Sequence, residues 1–89
     1  MASMLVQFKV KDFTTWKKGF EANSGLRKTH GQIGTKVFQD TSDANIVSIL
    51  SDWNSIENAQ TFSRSPELKA AMAAGGVEGS PTFSFLNEV

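Results

Sequence analysis

Apolar residues alternate along the first run of this chain, recur at helical spacing in the next, and then alternate again through two further runs. The cycle of helical and alternating spacing then repeats once before the chain ends. The resulting order is strand, helix, strand, strand, helix, strand. Such an order restricts the fold more than any other property of the sequence, because each change of period fixes which side chains can share a buried face.

In the first run Val6, Phe8 and Val10 point one way and Leu5, Gln7 and Lys9 the other, as in a half-buried strand. Asp12 is placed to cap a helix with its carboxylate. Phe13, Trp16 and Phe20 follow on one helical stripe, with Lys17 and Lys18 on or beside the solvated face, and Gly25 or Gly31 ends the helical region. Ile33 to Asp40 and Asn45 to Trp53 read as a hairpin around Thr41-Ser42-Asp43-Ala44. Asn54 and Glu57 have the spacing of a capping box, and Ile56, Ala59 and Phe62 form a short stripe behind them. Ser65 then caps a second piece with Pro66 in its first turn, so the second helix is expected to break there. Leu68, Ala71 and Met72 face inward from that piece, Gly75-Gly76 stops it, and Gly79-Ser80-Pro81 punctuates the chain before a last strand over Thr82 to Leu86.

This order predicts an α+β, ferredoxin-like βαββαβ domain over residues 1–89, an antiparallel sheet with its helices on one face. Val6, Phe8, Val37, Val47, Ile49, Phe83 and Phe85 belong to the helix-covered face. Leu5, Ile46, Leu50, Leu86 and Phe38 fall on the other, among Gln7 and Ser48. A face that apolar demands a cover, and pairing two sheets across a two-fold axis supplies one. A homodimer through the uncovered sheet face is therefore expected.

Nine basic and nine acidic residues balance, which speaks against nucleic acid, since phosphate binders carry a basic excess. RNA-recognition motifs share this strand order, but Asn45 to Asp52 offers neither aromatic rings nor cations to stack and pair with bases. The first apolar run is cut by Gln7 and Lys9 and has no basic lead, so neither a signal peptide nor a membrane span is expected. The expectation is a soluble, cytoplasmic domain, with which the lack of cysteine is compatible.

The opening Asp12-Phe13-x-x-Trp16-Lys17-x-x-Phe20, Arg27 before Gly31, Asp52-Trp53 at the end of the third strand, and Ser65-Pro66-Glu67-Leu68 together resemble the dimeric α/β-barrel superfamily. The match is to its small uncharacterised branch, similar to antibiotic-biosynthesis monooxygenases, and covers nearly the whole chain. The resemblance implies a dimeric barrel built from sheets packed back to back and, in members with a pocket, a cavity between each sheet and its own helices. It also sets limits. Haem-degrading relatives place a histidine on the second long helix and an asparagine on the first strand; here the second helix has no histidine and the first strand carries Gln7, which counts against haem. Cofactor-free monooxygenases of the superfamily surround a polyketide-like substrate with asparagine, tryptophan, tyrosine and arginine, and this chain has no tyrosine.

His30 is the one histidine, three residues after Arg27. As a catalytic pair, His30 would move protons while Arg27, or Lys28 beside it, held an acidic substrate. The competing view makes His30 a surface residue at a helix C-terminus, where cations suit the dipole, and it is favoured because no acid–base partner is evident. Trp53, with Trp16, Phe20 and Phe62, could wall an aromatic pocket, with Gln7 orienting the ligand; the same rings equally make a core. Asp40 and Asp43 suit the turn chemistry of a loop, and no histidine is spaced to join Asp52, so no metal centre or other cofactor is expected. Two functional readings result. The chain is a small-ligand-binding or accessory module for a hydrophobic molecule, or it is a cofactor-independent monooxygenase or isomerase acting on an aromatic or polyketide-like compound.

Overall fold

The computed structural model describes residues 2–89. Its elements are β1 (Ala2–Val10), α1 (Phe13–Ala22), α2 (Ser24–Thr29), β2 (Gln32–Gln39), β3 (Ile46–Trp53), α3 (Ile56–Ser63), α4 (Pro66–Ala74) and β4 (Val77–Asn87). The strands form one antiparallel sheet in the order β2-β3-β1-β4. With both helical regions on one face, this is the ferredoxin-like α+β arrangement that the period changes predict. Within one chain the sheet is open, with β2 and β4 as its edges.

The helix openings form for the expected reason at Asp12 and Ser65 and for a different one at Asn54. Asp12 accepts from the Thr15 amide at 2.9 Å and the Thr15 hydroxyl at 2.7 Å. Those two bonds hold the Asp12 carboxyl below its ordinary range. Ser65 accepts from the Leu68 amide at 3.1 Å and donates to the Phe62 carbonyl at 2.9 Å, so one hydroxyl closes α3 and opens α4. The cap of α3 is Ser55 rather than Asn54: its Oγ accepts from the Asn58 amide at 3.1 Å, while Asn54 accepts from the Asn58 side chain at 2.7 Å. The backbone reaches its helical geometry one residue later than the capping-box spacing suggested.

The first helical region is divided at Asn23, whose amide and side chain both donate to the Gly19 carbonyl, at 3.1 and 2.9 Å. Gly25 consequently lies inside α2 and stops nothing. Gly31 makes the turn into β2 with φ +109°, a conformation that L side chains rarely adopt. Its carbonyl accepts from the Asn54 amide at 2.9 Å, so this turn is tied to the end of β3. At the far end, β4 begins at Val77 rather than Thr82. The Gly79-Ser80-Pro81 stretch is a bulge opposite Phe8 where the β1–β4 register shifts between Gln7 and Lys9. Pro81 is tolerated there because β4 is an edge.

Packing divides into two neighbouring clusters on the helix-covered face. One joins Val6, Phe8, Val10, Val47 and Ile49 to Trp16, whose ring meets Phe8 edge-on at 5.4 Å and stacks on Phe20 at 5.0 Å. The other joins Met4 and Trp53 to Ala59 and Phe62. Among the described residues the opposite face carries no helix, and there Leu5 pairs across the strands with Leu50. Leu5, Phe38 and Leu86 on that face remain 36%, 51% and 42% exposed.

Candidate functional site

Between the sheet and its helices the two clusters fail to meet completely and leave a cavity of about 160 Å³. Its floor comes from alternate residues of the two central strands, Met4, Val6 and Phe8 of β1 with Ile49, Ser51 and Trp53 of β3. Alternation alone puts these side chains on one face, since a strand repeats every second residue. Trp16 and Phe20 of α1, Arg27 of α2 and Phe62 of α3 form its walls. The absence of a side chain at Gly19, where an added Cβ would meet no atom within 4 Å, belongs to the same gap.

Five polar side chains stand in this largely apolar lining, Thr15, Asn23, Arg27, Gln32 and Ser51, and two of them are buried. Ser51 is nearly fully buried and accepts from Trp53 Nε1 at 2.8 Å while donating to the Met4 carbonyl at 3.3 Å. Its hydroxyl is thus used internally and the indole is held at a fixed angle. Arg27 is the second, 8% exposed. Its guanidinium carbon lies 3.7 Å from the centre of the Phe20 ring, Nη1 donates to the Phe20 carbonyl at 2.7 Å and Nε to Gln32 Oε1 at 3.3 Å. Burial lowers the Arg27 pKa from its ordinary value, because desolvation disfavours the charged form. A guanidinium nevertheless stays protonated.

The structure brings Arg27, Trp53, Trp16 and Phe62 to one cavity. Gln7 is elsewhere: it projects from the uncovered face of β1, where its amide donates to Ser48 at 3.3 Å. The reason is its position in the alternation, one residue out of phase with Val6 and Phe8. His30 caps α2 and packs on Phe62 at 5.2 Å between ring centres, and it does not line the cavity. Phe62 in turn meets Trp53 at 5.2 Å. Lys28 is exposed. Asp40 uses its carboxylate on the amides of Ser42 and Asp43, as turn chemistry requires.

Ser51 and Gln32 are two of the polar site residues that a reading of sequence passes over. Ser51 did leave a signal, as a polar residue in phase with Val47, Ile49 and Trp53 on the buried side of β3. Gln32 left none, because only the fold of α2 onto β2 brings it to Arg27.

A family model described as antibiotic biosynthesis monooxygenase matches residues 3–74. No curated protein matches the chain. Among solved structures, a Bordetella bronchiseptica protein assigned to the antibiotic biosynthesis monooxygenases superposes with a TM-score of 0.81 at 13% identity, covering 99% of this chain and 96% of that one. SnoaB, a cofactor-independent oxygenase from Streptomyces nogalater, gives 0.77 at 9% identity over 99% and 92% of the two chains. The ActVA-Orf6 monooxygenase of Streptomyces coelicolor, solved with nanaomycin D, gives 0.68 at 23% identity over 99% and 87%. At such identities the likeness is one of fold.

Proposed function

This chain belongs to the antibiotic biosynthesis monooxygenase family, and from that premise we propose that it binds a compact aromatic small molecule in the cavity between sheet and helices. The observation that carries this reading is the cavity itself, about 160 Å³ walled by Trp16, Trp53, Phe20 and Phe62. A cavity of about 150 Å³ lined by apolar side chains is enough to admit benzene, so the space suits one substituted ring. Tryptophan emission reports directly on it, because both tryptophans are lining residues. Titration with indole or toluene is expected to change that emission saturably and to raise the melting temperature. No change in either at millimolar probe would remove the reading.

A second reading, oxygenation of the bound ring without a cofactor, is favoured by the family and by the fold shared with SnoaB, itself a cofactor-independent oxygenase. In such a reaction the substrate supplies the electrons: a ring CH2 and O2 give C=O and water. On this chain Trp53 would stack on the ring and Arg27 would stabilise the enolate that reacts with oxygen. Gln7 and His30 have no place in it, being away from the cavity. Oxygen consumption with a one-ring phenol, whose keto tautomer carries the ring CH2, above the uncatalysed rate and lost in Arg27→Met, is the expected result. Uptake equal to that of buffer would exclude it for this class of substrate.

The proposal includes a homodimer joined through the uncovered face of the sheet, supported by the exposed Leu5, Phe38 and Leu86. It also keeps residues 1–89 as one domain, supported by the single sheet that all four strands share. No helix among the described residues is long and apolar enough to cross a membrane. A cytoplasmic setting is part of the proposal, and the cysteine-free composition is compatible with it.

A further inference from the structure

Arg27 is the one charged side chain among the described residues that the fold buries. It is buried, yet among the described residues no carboxylate lies within 4.0 Å of it; the ion pairs join Lys9 to Asp43 and Lys17 to Glu21. Its partners are neutral, a carbonyl, an amide oxygen and the face of Phe20. A guanidinium has five N–H donors, and those two hydrogen bonds occupy two of them. The other three are not orphaned in the interior, since no buried side-chain nitrogen or oxygen among the described residues lacks a hydrogen-bond partner; they reach solvent and are free to bind a ligand.

Arg27 also occupies a boundary. With Phe20 it lines both the inner cavity and an open groove outside it, between α1 and the edge strand β2. The other charged groups of that groove are Lys17 and Glu21, already paired with each other at 2.7 Å. The free donors of Arg27 therefore belong to a border between an apolar, ring-lined chamber and solvent. That is where an amphiphilic molecule would place its charged end.

We propose that the ligand is an aryl carboxylate, its ring in the cavity and its carboxylate on the guanidinium of Arg27 at the border with the groove. Resting on the cavity reading above, this adds the charge of the ligand and the residue that selects it. Charge-assisted pairing of guanidinium and carboxylate is the strong form of the hydrogen bond, and the apolar surroundings strengthen it further.

The test is calorimetry on the intact protein at low salt and neutral pH with benzoate and with benzamide, a neutral probe of the same shape. Wild type is expected to bind benzoate at least about tenfold tighter, a difference of about 1.4 kcal/mol. Arg27→Met should abolish the preference while still binding benzamide, and Arg27→Lys should restore part of it. Equal affinities in wild type, or a preference that survives in Arg27→Met, would overturn the inference and leave the cavity reading intact. Failure of both probes to bind would overturn the two together. Should Arg27→Met not fold, the wild-type ratio and the lysine variant decide.

Discussion

The indole N–H of Trp53 donates to the hydroxyl of Ser51 over 2.8 Å, and both side chains stand on the same face of β3. The bond spans two residues of one strand, where alternation alone brings side chains side by side. Because Ser51 also donates to the Met4 carbonyl, it locks an aromatic wall of the cavity to the neighbouring strand. Ser51→Ala would leave a buried N–H unpaired, and an orphaned buried donor costs about 1–3 kcal/mol. Denaturant unfolding is expected to show a loss in that range, with a shift in tryptophan emission. An unchanged midpoint would mean that the indole finds another acceptor.

Gly31 makes the turn from α2 into β2 against the side chain of Asn54. Its φ of +109° disfavours any side chain, and a Cβ there would overlap the Asn54 amide group. Gly31→Ala should destabilise by more than about 1 kcal/mol. Combining it with Asn54→Ala removes the overlap but not the backbone strain, so the double variant should recover only part of the loss. Full recovery would show that φ is not the main cost.

Asp12 gives acid sensitivity a definite sign. Its folded-state pKa lies below the ordinary value of 3.8, chiefly through the Thr15 hydroxyl and then the Thr15 amide. A depressed carboxyl pKa contributes stability that is fully present above the unfolded value and fades as the pH falls through the folded one. Wild type should therefore exceed Asp12→Ala in stability at neutral pH, with the gap narrowing below pH 3.8. A gap independent of pH would assign the cap to something other than the ionised carboxylate.

Leu5 and Leu50 are register partners on the uncovered face. Replacing Leu5 with Lys puts a charge into the proposed sheet-to-sheet interface without disturbing the helix-covered core. Sedimentation at micromolar concentration should find a dimer for wild type and a monomer for Leu5→Lys, with the same far-ultraviolet circular dichroism. A monomeric wild type would contradict the proposed pairing.

What sequence alone determined was periodic. The phase of Val6, Phe8, Val47 and Ile49 assigned both faces of the sheet, and the caps at Asp12 and Ser65 and the break at Pro66 depend on neighbours within a few residues. The same phase already excluded Gln7 from the helix side, although its polar character suggested otherwise. Tertiary structure decided everything that depends on distance across the fold. The folding of α2 onto β2 buried Arg27 against Phe20 and Gln32 while leaving His30 behind Phe62, and no spacing along the chain distinguishes those outcomes. The helical stripe of Phe13, Trp16 and Phe20 was legible from the start; that its rings stop short of filling the space above β3 was not. Packing sums volumes from both faces of a gap, and only the assembled fold supplies them together.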